Sequence, residues 1–171
     1  MPDANPRSFT AGGMWNGIPM ACHNATLFWL YEAEFSRQPS LNDYLDAFST
    51  HPKNPTGIVR EMLPFGQRLS RPLAGNSQLT PGAVIVFVHN NQPGHSCIAT
   101  TGGQVGGYNQ VNWFTGAGAV NSYTTHATSE FKWRSAQRPN DIEGNTAQKW
   151  CSLLMIPQNA ARAVVRKAVQ G

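Results

Sequence analysis

The sequence places a cysteine where a turn runs into an apolar helical pattern. Cys22 follows a Gly/Pro turn at residues 16–19 and precedes an apolar run at 25–35. A helix N-terminus presents unpaired N–H groups and the positive end of the helix dipole, and both favour an anion. At such a position the pKa of a cysteine can fall from about 8.5 to roughly 3.5–7.5. The sequence therefore predicts that Cys22 is a nucleophile.

A histidine at the start of a predicted strand is the expected general base. His95 follows Pro93-Gly94, so its ring stands where a loop meets a rigid element. An imidazole on a strand that faces a thiol on a helix gives the cysteine the adjacent base that it needs. Such a base also needs a third group that orients its ring.

The third group depends on the register of the hairpin around Gly102-Gly103. A two-residue turn at this pair places Gln110 opposite His95, whereas a three-residue loop places Asn109 there. A slip of one residue moves every side chain to the other face, so both carboxamides remain candidates. We favour Gln110 because Gly-Gly is typical of the tighter turn.

The tetrahedral intermediate needs hydrogen-bond donors for its oxyanion. The backbone N–H of Cys22 is one expected donor, and the side-chain amide of Asn16, in the entry turn, is the other. A well-placed donor of this kind contributes about 2.7–4 kcal/mol. Trp15 and His23 flank these residues in sequence, and we expect them to line the substrate cleft.

The elements that position these groups are helices followed by strands. Apolar periodicity predicts helices first and then a run of strands with turn residues between them, the pattern of an α+β domain with an antiparallel sheet. We expect a single domain over 1–171, with a loose lead-in at 1–14 and a C-terminal helix within 158–171 that has Arg162, Arg166 and Lys167 exposed. The predicted helices are 20–35, 41–48, 56–63 and 159–169, and the predicted strands are 83–88, 95–101, 104–113, 130–134 and 147–156.

Composition narrows the classes of partner. The net charge of +4 suits an anionic partner such as a cell-wall polymer, and no long basic block predicts binding to nucleic acid. No apolar segment is long enough to span a membrane or to act as a secretory signal. The three cysteines cannot all pair, so Cys97 and Cys151 are expected as small buried side chains. Their spacing with histidine matches no usual zinc pattern, and neither a metal nor a cofactor is expected.

Four segments resemble one group of enzymes. Asn16-Gly17 followed by Ala21-Cys22 is similar to the nucleophile turn of papain-like proteins. The segments LTPGAVIVF at 79–87, GHSCIA at 94–99 and GGYNQ at 106–110 resemble the bacterial NlpC-type and CHAP amidase-peptidases. Ala83 stands where that group usually has an acidic residue.

The resemblance implies a papain-like fold with a Cys/His/polar triad that hydrolyses amide bonds, often in peptidoglycan. It assigns Cys22 as the nucleophile, His95 as the base and Gln110 or Asn109 as the orienting group. Deamidases of the same clan often use an aspartate as the third member, so Asp141 in a predicted polar loop is a rival.

The expected function is therefore that of a cysteine amidohydrolase or peptidase, a bacterial effector or lysin that cleaves peptidoglycan peptide bonds. One alternative is a toxin that deamidates or cleaves a host protein, and another is a non-catalytic binding module on the same scaffold. The expected partners are peptidoglycan or a protein substrate, together with an immunity or chaperone protein. We expect synthesis in a bacterial cytoplasm, then specialised secretion or lysis, and action in the target periplasm or host cell.

Overall fold

The computed structural model describes residues 3–9, 13–50, 54–70, 79–114, 120–135, 138–143 and 150–171. The helices are α1 (Cys22–Phe35), α2 (Leu41–Phe48), α3 (Pro55–Met62), α4 (Val111–Phe114) and α5 (Gln158–Gln170). The strands are β1 (Met14–Trp15), β2 (Ile18–Pro19), β3 (Gln67–Arg68), β4 (Val84–His89), β5 (Gln92–Thr100), β6 (Gln104–Tyr108), β7 (Tyr123–Ala127), β8 (Trp133–Ser135), β9 (Arg138–Glu143) and β10 (Trp150–Ile156).

Antiparallel pairing joins eight of the described strands into one sheet. The order is β7-β6-β5-β4-β10-β9-β8, and β3 also pairs with β10. Strands β1 and β2 form a separate small hairpin directly before α1. The expectation of a mixed α+β protein with an antiparallel sheet is confirmed. Within the described ranges, no helix is both long enough and apolar enough to cross a lipid bilayer.

Helix α1 runs through the centre of the molecule. Ten of its 14 residues are buried, because its apolar side chains lie on every face of the helix. It packs against β5, β6, α3 and α5. This surrounding structure fixes the helix, and with it the position of Cys22 at its first turn.

Strand β4 is buried on both faces, as its unbroken β-branched sequence predicts. Val84 and Val86 belong to the apolar cluster around α1, whereas Ile85 and Phe87 belong to a second cluster on the other side. The second cluster also contains Cys97 and Cys151, and the prediction that these two thiols are buried is confirmed.

Several predicted element boundaries are wrong for local reasons. The expected loop at 90–94 is a tight turn at Asn90 and Asn91, whose φ angles of 50° and 60° allow β5 to begin at Gln92. The strand expected at 104–113 ends at Tyr108 and is followed by the short helix α4. Strand β9 occupies most of the expected loop at 136–145, and β7 was not predicted.

The described part of the lead-in, residues 3–9, is attached to α1 and is not loose. The guanidinium of Arg7 donates two hydrogen bonds to Glu32, at 2.6 and 2.8 Å. The ring of Phe9 packs edge-on against Phe28 and parallel to Trp29. Residues 1, 2 and 10–12 of the expected lead-in lie outside the described residues.

The C-terminal helix begins at Gln158, one residue before the predicted start, and one of its arginines is buried. Arg162 has 8% of its surface exposed, and its Nε donates to Glu34 at 2.9 Å. Its Nη2 donates to the Ala33 carbonyl oxygen at 3.1 Å. The prediction of an exposed Arg162 is therefore wrong, because Glu34 on α1 supplies the charge partner that burial requires.

Candidate active site

Cys22 is the first residue of α1. The preceding residue, Ala21, has extended backbone angles and no side chain that caps the helix. Alanine is among the poorest residues for an N-cap, and the absence of a capping side chain leaves the N–H groups of the first turn without a side-chain acceptor. The sulfur therefore lies beside donors and a helix dipole that both favour a negative charge. Cys22 is buried, with 9% of the surface of the residue exposed.

Two imidazoles lie close to this thiol. Burial alone raises the pKa of Cys22, but the nearby imidazoles of His23 and then His95 hold that pKa well below its usual value. Cys97 shows the contrast, because burial and the nearby Cys22 raise the pKa of its thiol well above the usual range. Of these two buried cysteines, only Cys22 has the surroundings of a nucleophile.

Gln110 determines which nitrogen of His95 carries a proton. The side-chain NH₂ of Gln110 donates to the carbonyl oxygens of Val105, at 3.1 Å, and of Thr124, at 2.7 Å. Its Oε1 is therefore the atom that faces His95 Nε2, at 3.2 Å. Because that oxygen only accepts, Nε2 is the protonated nitrogen and Nδ1 of the neutral ring is the base.

His95 Nδ1 is the nitrogen available to the thiol. It is buried and forms no hydrogen bond of standard geometry with any described residue. The ring nevertheless lowers the pKa of Cys22, so His95 and the thiol lie close together without an aligned bond. Such pairs often align only when the substrate binds.

Aromatic side chains hold the His95 ring in place. The ring stacks on Trp113, with centroids 5.4 Å apart and planes 21° from parallel, and meets the edge of Phe87 at 5.1 Å. A Cβ at Gly94 would lie 2.9 Å from Trp113, so only glycine allows this approach. Gly107 is required in the same way, since a Cβ there would lie 2.7 Å from Gln110 Oε1.

Gln110 reaches His95 by a different route from the one that the sequence suggested. The hairpin pairs Thr100 with Gln104 and Ile98 with Gly106, which is the register of the three-residue loop. The favoured two-residue turn is therefore wrong. The strand ends at Tyr108, and Asn109 adopts a φ of 55° that turns the chain and brings the next side chain to the imidazole.

The other two candidates for the third position do not contact His95. Asn109 lies in the turn, where its backbone N–H donates to the Ser122 carbonyl and its buried Oδ1 has no hydrogen-bond partner among the described residues. Asp141 pairs with Ser152 on β10 and accepts a hydrogen bond from Arg68 at 3.3 Å. Its strand is three positions from β5 in the sheet, about 14 Å at the usual strand spacing. Both assignments are corrected in favour of Gln110.

Asn16 and Trp15 belong to the hairpin before α1. Asn16 and Gly17 form its turn, with φ angles of 48° and 83°, and Asn16 is exposed. Trp15 is half-buried and packs against Phe28 and Tyr44, so much of its ring belongs to the core. The Asn-Gly pair suits this turn for backbone reasons alone, so the oxyanion role of Asn16 stays a prediction.

His23 is not on the wall of an open cleft. Its ring has 8% of its surface exposed, and both nitrogens are bonded within the protein, Nδ1 to Ser96 and Nε2 to the Pro93 carbonyl. The expected place of His23 on the cleft wall is therefore corrected, because its ring is buried, where it lowers the pKa of Cys22. Ser96 and Thr26 are not among the predicted site residues, although Thr26 lies three residues after His23 on the same helix face.

No protein-family model, curated protein or solved structure matches this chain. The function is therefore inferred from the geometry of the site. Among the described residues, no group of three or more His, Cys, Asp or Glu side chains is placed to hold a metal ion. The arrangement that remains is a thiol at a helix N-terminus, two imidazoles and a fixed carboxamide.

Replacing Gln110 with methionine tests its orienting role. We expect kcat for amide hydrolysis to fall by about 10²–10⁴-fold with a smaller change in KM, because the ring of His95 loses the acceptor that fixes its tautomer. Gln104→Met changes an exposed glutamine of β6 and serves as the matched control. Equal kcat values for the two variants would show that Gln110 is structural.

Replacing Asn16 with glycine tests its role as an oxyanion donor. Glycine keeps the positive φ of the turn and removes only the amide. We expect kcat to fall by about 10²–10³-fold if the amide contacts the oxyanion. Asn91→Gly, at another hairpin turn with a φ of 60°, is the control. An unchanged kcat in the Asn16 variant would assign this residue to the turn alone.

Proposed function

We propose that the protein is a thiol-dependent amide hydrolase with a papain-like arrangement of its nucleophile helix and antiparallel sheet. Its triad is Cys22, His95 and Gln110. The observation that carries the proposal is the hydrogen bonding of Gln110, which leaves His95 Nδ1 as the base beside the thiol. The lowered pKa of Cys22 supports the same assignment, since a thiolate is the attacking form of cysteine.

Hydrolysis proceeds in two stages at this site. His95 Nδ1 takes the proton of the Cys22 thiol, and the resulting thiolate attacks the amide carbonyl carbon. The tetrahedral oxyanion accepts a hydrogen bond from the Cys22 N–H. The protonated His95 gives its proton to the leaving nitrogen, so an amine departs and a thioester remains. His95 then takes a proton from the water that attacks the thioester. The bond to sulfur breaks, which returns the Cys22 thiolate and releases a carboxylic acid that loses its remaining proton to solvent.

We propose peptidoglycan peptides as the substrate class. The segments around His95 and Gln110 resemble those of bacterial cell-wall hydrolases, and the net charge of +4 favours approach to anionic wall polymers. Deamidation of a protein side chain uses the same attack on a carbonyl and releases ammonia in place of a larger amine. The two substrate classes are therefore separated by their products.

Incubation of the purified protein with bacterial sacculi tests this proposal. We expect soluble muropeptides with newly exposed amino groups, and none from a Cys22→Ser protein at the same concentration. A parallel incubation with eukaryotic lysate measures ammonia release and the mass gain of about 1 Da that accompanies deamidation. Muropeptide release by the serine variant would contradict the assignment of Cys22, and activity in the lysate alone would replace peptidoglycan with a protein substrate.

A further inference from the structure

The triad makes no use of His23, yet this buried residue follows the nucleophile directly in α1 and lowers the pKa of its thiol. Its Nδ1 lies 2.8 Å from Ser96 Oγ, and its Nε2 lies 3.2 Å from the Pro93 carbonyl oxygen. The Ser96 hydroxyl in turn donates to Thr26 Oγ1 at 3.1 Å. A chain of hydrogen bonds therefore runs from the ring beside Cys22 to a hydroxyl one helical turn further along α1.

The directions of these hydrogen bonds determine the protonation of His23. A carbonyl oxygen only accepts, so Nε2 carries a proton that it donates to Pro93. With the Ser96 hydroxyl as the donor to Thr26 Oγ1, 3.1 Å away, the Ser96 oxygen presents lone pairs to Nδ1, and this nitrogen then also carries a proton. An imidazole that donates from both nitrogens is the cation.

We propose that His23 is a positioning residue that carries a permanent positive charge beside Cys22, set by the Ser96–Thr26 hydrogen bond, and thereby holds the nucleophile as a thiolate while His95 remains free to move protons. The ionisation of Cys22 can be measured without any substrate. The effect of a charged His23 on turnover, by contrast, rests on the proposed function.

The charges around the pair support this assignment. Burial lowers the pKa of His23, but the Cys22 thiolate and the Pro93 carbonyl together raise it above its usual value. A cation and an anion that neutralise each other are the form in which buried charges are tolerated.

The other titratable groups in this region do not change the charges of the His23–Cys22 pair. On β5, His95 faces the thiol from the strand, and burial keeps Cys97 protonated. On α2, Tyr44 bonds to Asn24, and burial raises its pKa to about 12, so it stays neutral. On α3, which packs against β5, Arg60 donates to Gln92 at 2.9 Å.

Thr26→Val is the most informative variant because Thr26 is not in the proposed triad. Valine has nearly the shape of threonine but accepts no hydrogen bond, so the Ser96 proton is free to turn toward His23 Nδ1 and favour the neutral ring. We expect the pH midpoint for alkylation of Cys22 by iodoacetamide to rise by about one unit. Thr26→Ser keeps the acceptor and should keep the wild-type midpoint. Modification is mapped to Cys22 by mass spectrometry, and ultraviolet absorbance of the thiolate gives the midpoint independently of reagent access.

Ser96→Ala distinguishes the two possible proton directions by sign. In the proposed arrangement Nδ1–H loses its acceptor, so the alkylation midpoint rises. If Ser96 instead donates to a neutral His23, the substitution removes a donor to Nδ1, favours the cation and lowers the midpoint. His23→Gln should raise the midpoint more than either variant, and His95→Gln should raise it less.

The outcomes separate this proposal from the proposed function. Unchanged midpoints in Thr26→Val and His23→Gln, or a lower midpoint in Ser96→Ala, overturn the charged His23 even if the wild-type protein hydrolyses peptidoglycan. Raised midpoints in all three variants support the charged His23 even if no substrate is cleaved. Circular dichroism of each variant confirms that the comparison is between folded proteins.

Discussion

We expect the proposed hydrolysis to fall by roughly 10⁴–10⁶-fold when Cys22 is replaced by serine or His95 by glutamine, and the double variant to lose little more than either single one. The loss is not additive because the thiol and the imidazole act in the same steps, so removal of one leaves the other without a function. The measurement is the rate of amine release from peptidoglycan fragments under single-turnover conditions. A single variant that keeps a tenth or more of the wild-type rate contradicts this pairing.

The control for this prediction is a histidine outside the site. His89 is half-buried at the end of β4, and its Nδ1 bonds to the Trp150 carbonyl at 2.8 Å. His89→Gln should keep the wild-type rate. His95→Gln should also keep alkylation of Cys22 at low pH, because His23 remains beside the thiol. Loss of turnover with retention of a reactive thiol identifies His95 as the group that moves the proton.

Local sequence signals were sufficient for much of the helical half of the fold. Helix α2 was predicted directly after Ser40, because Ser40 caps it by accepting from the Asp43 N–H and apolar residues recur at helical spacing. Helix α1 was recognised from its apolar composition, although it begins two residues later than predicted. Both signals are contained within one turn or one face of the element itself.

The part of the site that was predicted wrongly depends on backbone conformations that the residues allow but do not determine. Gly102 and Gly103 both adopt positive φ, which suits a two-residue turn and equally the three-residue loop that forms. The expected partner Gln110 contacts His95 only because Asn109 also enters the left-handed region. Two errors, one in the turn and one in the end of the strand, therefore compensate each other.

Long-range partners account for the remaining differences. Trp113 was assigned to a strand, but α4 carries it onto the His95 ring. His23 was assigned to the cleft wall, since its hydrogen-bond partner Ser96 is 73 residues away in sequence and could not be identified from the residues around His23. Buried polar side chains of this kind are indistinguishable in sequence from solvated ones, since burial becomes favourable only when the distant partner is in place.

The buried charge at the junction of α1 and α5 gives the largest expected effect on stability. We expect Glu34→Gln to lower the free energy of unfolding by about 3–5 kcal/mol, because the buried guanidinium of Arg162 then loses the carboxylate to which it donates. The Glu34 and Arg162 side chains are only 8% and 9% exposed and lie 2.9 Å apart. Urea denaturation at neutral pH measures the change.

Arg166 is the matched control, since it lies one turn further along α5 and contacts the same carboxylate at 2.8 Å with a side chain that is 47% exposed. Arg166→Ala should cost about 0–1 kcal/mol. A similar loss in the Glu34 and Arg166 variants contradicts the role of burial.

The same pair predicts how stability depends on pH. Burial alone raises the pKa of Glu34, but hydrogen bonds from Arg162 and Arg166 hold it below its usual value. A carboxyl whose pKa is lower in the folded state stabilises the protein above its unfolded pKa, about 4.3 for glutamate, and loses that contribution as the pH falls through the folded value. The difference in unfolding free energy between wild type and Glu34→Gln should therefore be full at neutral pH and shrink below about pH 4. A difference that stays constant from neutral to acid pH would show that the charge of Glu34 does not stabilise the junction.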